Sequence, residues 1–197
     1  MSLDEVRFLL SETDPGKLGP SDAEIAFVGR SNSGKSTMLN ALCRKDLARA
    51  SSTPGRTRTI NVYEAAPRRR LVDLPGYGFA SGPEASRASW GPMIEGYLSG
   101  STSLKAVFVL VDADLGPTKL DFEMLRWLQG HELPWRVVAT KADRVKPSRA
   151  FVRRREVAEA CGVSPDALAW VSSKTGTGIV PLRQDAARLL GLVSGTR

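Results

Sequence analysis

Residues 29–37 read GRSNSGKST. Two glycines separated by four residues, then a lysine and a hydroxyl, are the residue types needed to wrap a backbone around phosphate. Gly29 and Gly34 free the chain to turn, so that the amides of Arg30, Ser31, Asn32 and Ser33 face phosphate oxygens. Lys35 would reach the β- and γ-phosphates. Ser36 would offer its hydroxyl to Mg²⁺, and Thr37 continues a helix start whose positive end favours anions. The competing reading is a glycine-rich turn with no ligand, and the apolar strand before and helix after the motif argue against it.

Residues 71–79, LVDLPGYGF, place Asp73 at the close of a second apolar run. A carboxylate there is costly to desolvate unless a cation meets it, and Mg²⁺ held through a water is the expected one. Leu74 and Pro75 carry the chain to Gly76, whose amide would contact a γ-phosphate, which only a triphosphate supplies. The base is read from TKAD at 140–143, Thr140, Lys141, Ala142 and Asp143. The Asp143 carboxylate can accept from both N1–H and the exocyclic amine of guanine, whereas adenine lacks that paired donor edge. Lys141 can lay its methylenes over the base plane. At the next strand end, after Val171, the amides of Ser172, Ser173 and Lys174 could donate to guanine O6. A charged loop is the bland alternative for each piece alone, but the ordered set at successive strand ends implies a guanine nucleotide. A P-loop kinase would need an arginine-rich lid over a substrate pocket, and none is visible.

These residues need strands that end together and helices that start beside them. EIAFV at 24–28, AVFVLVD at 106–112 and RVVAT at 136–140 are near-continuous apolar runs, as parallel strands covered on both faces require. LAWVS at 168–172 makes a fourth, and NVYEA at 61–65 with RLVDL at 70–74 reads as an antiparallel hairpin. Helical stretches are expected at 35–44, about 84–99, 118–129, 148–161 and 179–190; in the third, Leu120, Met124, Leu125 and Leu128 share one face. The expected fold is a doubly wound α/β domain: a mixed six-stranded sheet, mostly parallel with one antiparallel hairpin, and helices on both faces. The expected domain is 21–192, with 1–20 as an N-terminal extension packed on or flanking it and 193–197 as a tail.

GRSNSGKST, TPGRT at 53–57, DLPGYG at 73–78, TKAD and SSK together resemble the EngB (YihA/YsxC) GTPases of the TrmE-Era-EngA-like group, over roughly residues 20 to 190. The resemblance implies a single Ras-like P-loop domain, GTP and GDP with Mg²⁺, and a role in assembling the bacterial large ribosomal subunit. It implies that Thr57 ligates Mg²⁺ in the triphosphate state beside Ser36, within a switch that includes Gly55, Arg56, Arg58 and Thr59. Thr140, where other GTPases carry asparagine, is typical of the family. Three positions depart from its pattern: Ser101 where an arginine is usual, Asp114 as the last residue of a D-x-R motif, and Arg58 where glutamine is frequent.

Many Ras-like enzymes orient water with a glutamine after the DxxG glycine, but here Tyr77 stands there, followed by Gly78. In related GTPases an asparagine at the position of Asn32 helps bind K⁺, which supplies charge where an arginine finger otherwise would. The alternative is that Asn32 braces the loop through side-chain hydrogen bonds. Catalysis is therefore expected to rest on Lys35, Asn32, Thr57 and Gly76, slow alone and accelerated by K⁺ or by the ribosomal partner.

A chain of 197 residues supports one sizeable core. Its longest apolar stretch, AVFVLV at 106–111, is too short to span a membrane, and the start lacks the pattern of a signal peptide. Cys43 and Cys161 show no ligand spacing and read as reduced thiols, and His131 as a surface bystander. The net charge of +7 favours an anionic partner, although an arginine-rich composition can arise without one. Arginines cluster at 56 and 58, at 68–70 and along RVKPSRAFVRRR at 144–155, where Val145, Phe151 and Val152 are expected to pack a helix onto the core. The four tryptophans, Trp90, Trp127, Trp135 and Trp170, are expected in the core rather than as stacking platforms. The expected partners are the large ribosomal subunit or its precursor and rRNA, with no DNA and no membrane, for a monomer in the bacterial cytoplasm. The competing class is a basic RNA-binding module that holds GDP or GTP structurally without turnover.

Overall fold

The computed structural model describes residues 2–48, 59–78 and 91–192. Three apolar runs become adjacent parallel strands: β2 (Ala23–Gly29), β5 (Leu104–Asp112) and β6 (Trp135–Thr140). The hairpin forms from β3 (Ile60–Ala66) and β4 (Arg69–Asp73), and its second strand lies parallel to β2. The expected strand at 168–172 shortens to β7 (Ala169–Trp170), paired with β6.

The sheet has seven strands rather than the expected six, in the order β1-β3-β4-β2-β5-β6-β7. The addition is β1 (Arg7–Glu12), antiparallel to β3 at the sheet edge. Its residues are half-buried or exposed, with Phe8 at 50% exposure, so no buried run marks it in the sequence. Backbone pairing to an existing edge holds it instead.

Strand alternation sends successive residues to opposite faces. Ala26, Val28, Val72, Val107 and Val109 join one core cluster, completed by Ile94 of α2 (Gly91–Gly100), Met124 and Leu128 of α3 (Lys119–Gly130), and Val157 of α4 (Ala150–Ala160). Ile25, Phe27, Leu71, Phe108 and Leu110 join the other, with Leu39 and Leu42 of α1 (Lys35–Cys43) and Leu182 and Ala186 of α5 (Ile179–Leu189). Each large side chain so buried stabilises the fold by about 1.5–3 kcal/mol, which fixes strand register against any slip. Residues 84–90 of the expected second helix lie outside the described residues.

Trp127, Trp135 and Trp170 are partly buried against the core, as expected, while Trp90 lies outside the described residues. His131 is exposed and stacks on Trp127. Burial pushes the thiols of Cys43 and Cys161 up, to about 12 and about 11, so both stay protonated. Ser101 donates to the buried Glu24 carboxylate at 2.8 Å, beside the Tyr97 hydroxyl at the same distance and Arg70 at 3.7 Å.

One packing expectation fails. Val145 is buried, but Phe151 and Val152 are 73% and 50% exposed. The buried stripe of α4 is set by Val157 and Ala158. Phe151 precedes Val157 by six residues, roughly 240° of helical rotation, which points it away from that stripe.

Candidate functional site

The site gathers at the carboxyl ends of β2, β4, β5, β6 and β7, where a doubly wound sheet binds ligands. β2 ends at Gly29, which packs so closely that an added Cβ would meet Leu110 O at 2.9 Å and Ser33 Oγ at 2.5 Å. Ser33 N donates back to Arg30 O at 3.0 Å, closing the turn. Gly34 has φ +94° and caps α1 without a side-chain hydrogen bond, so a ligand can meet the first-turn amides, near Lys35 and Ser36. Thr37 is exposed on the same turn. Asn32 adopts φ 67°, a left-handed conformation that asparagine tolerates better than most residues.

Asp73 ends β4 opposite Phe27 of β2. It is 3% exposed, and its Oδ1 has no hydrogen-bond partner among the described residues. Burial pushes its carboxyl up, and the charge of Lys35 offsets this only in part. An orphaned buried carboxylate oxygen near a lysine, with a hydroxyl on the neighbouring helix start, fits a hard cation such as Mg²⁺. Among the described residues no three His, Cys, Asp or Glu side chains gather into a metal cage.

Beyond Asp73 the chain runs on beside the phosphate loop. Leu74 N donates to Phe27 O at 3.1 Å, Tyr77 N to Gly29 O at 3.3 Å, and Ser31 N to Tyr77 O at 3.0 Å. Pro75 and Gly76 lie within this stretch, and a Cβ on Gly76 would come to 3.1 Å from Ser31 N. Gly76 thus abuts the loop expected to cradle phosphate. Tyr77 is buried and its hydroxyl donates to Asp121 Oδ1 at 2.8 Å. Asp121 Oδ2 accepts from the Thr118 amide and hydroxyl in the capping box of α3. Burial and the Asp121 charge push the phenol well up, so the ring is a neutral wedge turned into the core.

The residues expected to read the base meet the same loop. Lys141, at φ 57°, donates from Nζ to Asn32 O at 2.6 Å and to Asp112 Oδ2 at 2.8 Å. Asp112 Oδ1 accepts from the amides of Asp114 and Leu115. Burial raises the Asp112 carboxyl, but the Lys141 ammonium and these amides outweigh it and hold it below its ordinary value. Asp143 is exposed, and its Oδ1 accepts from Ser172 Oγ at 2.5 Å, which holds its pKa down. Ser172 is buried, its hydroxyl accepting from Thr175 N, while Ala142 N donates to Val171 O at 3.0 Å. Ser173 and Lys174 follow on the partly open turn.

Two placements differ from the sequence reading. Thr140 is 2% exposed, and its hydroxyl donates to Ser33 O at 2.7 Å, with Val111 O at 3.1 Å. It ties the phosphate loop to the sheet from behind. The Asn32 side chain makes no hydrogen bond among the described residues, and the loop is braced by Thr140 at Ser33 O and by Lys141 at Asn32 O. Asp112 was missed as a site residue, although an aspartate closing an apolar run is the same signal as at Asp73. Gly55, Arg56, Thr57 and Arg58 lie outside the described residues, and Thr59 sits just before β3 with its hydroxyl 3.4 Å from Asn61 Oδ1.

Comparison with known proteins places this geometry among relatives. The family model described as 50S ribosome-binding GTPase matches residues 24–141. The probable GTP-binding protein EngB of Desulfosudis oleivorans is 39% identical over 195 residues, covering 98% of this chain and 99% of that one. That of Geobacter sulfurreducens is 42% identical over 180 residues, covering 90% and 87%. A crystal structure of a probable GTP-binding protein engB superposes with TM-score 0.69 at 26% identity, covering 87% of this chain and all of that one. Era in complex with MgGDPNP and a 16S ribosomal RNA fragment shares the fold, with TM-score 0.64 at 20% identity over 91% of this chain and 59% of that one.

Proposed function

Because this chain belongs to the EngB family of GTP-binding proteins, we propose that its GTP cycle serves as a switch in assembly of the bacterial large ribosomal subunit, in contact with rRNA. It binds guanine nucleotides and hydrolyses GTP. The observation that carries the site assignment is Lys141, which spans from the guanine-reading turn to the Asn32 carbonyl and makes base and phosphate recognition one constellation. The matched description as a ribosome-binding GTPase and the net charge of +7 support the ribosomal partner. No helix among the described residues is long and apolar enough to cross a membrane. The ribosomal partner we propose would put the protein in the bacterial cytoplasm.

We infer these roles from the positions of the described residues and, for Thr57, from the family pattern. Asp143 accepts from the two guanine donors, and Ser172 holds that carboxylate in line. Amides of the phosphate loop and Lys35 neutralise phosphate charge, and the Gly76 amide meets the γ-phosphate when present. Ser36, Asp73 through a water, and Thr57 would hold Mg²⁺, which when bound draws negative charge from the β- and γ-phosphates. Tyr77 is committed to Asp121 and leaves water orientation to backbone and solvent. The exposed position of Asn32 on the phosphate loop supports a K⁺ dependence.

The test is multiple-turnover GTP hydrolysis in matched KCl and NaCl, with and without large ribosomal subunits. Faster turnover in KCl and on addition of subunits is expected. Equal rates in all four conditions would contradict the proposal.

A further inference from the structure

After β6 the chain runs through Arg144, Lys146 and Arg149 into α4, and these three, with Asp114, Val145 and Arg153, line a recess of about 460 Å³. Four cations face one acid there. Arg144, Lys146, Arg149 and Arg155 are exposed. A second acid, Glu156, lies 3.5 Å from Arg149 and 3.0 Å from Arg153. Arg153 is a fixed wall, its guanidinium donating to Ala113 O at 3.0 Å and Asp114 O at 2.8 Å.

An aromatic ring stands across the first turn of α4. Phe151 is two residues from both Arg149 and Arg153, about 200° of helical rotation, so it projects on the side of the helix away from the recess wall. Phe151 is 73% exposed, with the Arg155 guanidinium 5.9 Å from its ring centre, and Leu115 on the loop held by Arg153 is 71% exposed. Local stability does not explain the arrangement. The first turn of α4 carries no acid, and cations near that end oppose the helix dipole. An exposed phenylalanine forgoes the burial that would stabilise it.

We propose that single-stranded RNA crosses the N-terminal end of α4, with phosphates over the basic recess on one side and a base stacked on Phe151 on the other; the proposal rests on the rRNA reading above and locates it. Arginine forks match phosphate oxygens, and a protruding ring with a guanidinium beside it accepts any unstacked base. A duplex keeps its bases stacked within the helix and offers the ring no partner. An acidic protein would match the charge but leave the ring without a specific role.

The experiment measures fluorescence anisotropy of a labelled single strand of roughly 12 nucleotides, and of its duplex, on the GDP-loaded full-length protein between about 50 and 200 mM KCl. Lys146→Gln/Arg149→Gln/Arg155→Gln is expected to weaken strand binding at least about tenfold and to flatten the log–log salt slope by about 2. Phe151→Ala is expected to weaken strand binding about tenfold with little change of slope, leaving the duplex unaffected. None of these side chains touches the nucleotide site, so GDP affinity and melting temperature should hold and report the fold. Unchanged strand binding in both variants, while the wild type still sediments with large subunits, would overturn the proposal and leave the rRNA reading standing. A wild type that binds no RNA and does not sediment with subunits would overturn the reading itself. Equal losses for strand and duplex in Phe151→Ala, or polyglutamate binding as tight as RNA, would reduce the face to nonspecific charge and overturn the stacking.

Discussion

The Asp143 carboxylate is exposed but not loose: Ser172, itself buried, fixes one of its oxygens at 2.5 Å. Asp143→Asn replaces an acceptor by a donor, so it should weaken GDP about 100-fold and favour xanthosine diphosphate, whose C2 carbonyl replaces the amine. Calorimetric titration with both nucleotides checks this, and unchanged GDP binding would remove Asp143 from the site. Thr140 shows what a sequence motif hides. TKAD marks the guanine-reading turn, but nothing in those letters says that the threonine hydroxyl would reach back to Ser33 O. Thr140→Val keeps the shape and leaves that buried carbonyl unpaired, so denaturant unfolding should show a loss of about 1–3 kcal/mol. Asp112 adds a pH dependence. Its folded pKa lies below the ordinary value, so its contribution is complete above the usual aspartate range and disappears as pH falls below it. The stability gap between the wild type and Asp112→Asn should therefore be full at neutral pH and shrink below about pH 4, as urea melts at several pH values would show.

At the scale of elements, the parallel strands were legible because burial on both faces writes itself as unbroken apolar runs, as in Ala106–Val111. β1 was not, because an edge strand held by backbone pairing leaves no such mark, and Phe151 was misplaced because the buried stripe of α4 begins only at Val157. Tyr77 joins two elements whose contact no local pattern announces: the segment beside the phosphate loop and the first turn of α3. Tyr77→Phe keeps the ring and removes one buried hydrogen bond, so the melting temperature should fall by about 2–6 °C, while Asp121 keeps the Thr118 amide and hydroxyl. Single-turnover hydrolysis should stay close to wild type, and a collapse would mean the hydroxyl acts in the chemistry. Gly29→Ala forces a Cβ against the Leu110 carbonyl, which belongs to a central strand and cannot yield. Nucleotide affinity should drop at least about tenfold, with a stability loss of about 1–3 kcal/mol in unfolding experiments.

Across the whole molecule, one sheet divides two jobs between its ends and faces. Its carboxyl edge carries the proposed nucleotide constellation, and the chain leaving β6 carries the basic recess. The two are joined through Lys141 to Asp112, then by the loop at 113–116 that Arg153 grips. The central claim is that the nucleotide state governs attachment to the large ribosomal subunit. Co-sedimentation of the full-length protein with purified large subunits, loaded with a nonhydrolysable GTP analogue or with GDP, tests it most directly. Retention with the analogue and release with GDP is the expected result, whereas equal pelleting in both states would contradict a switch.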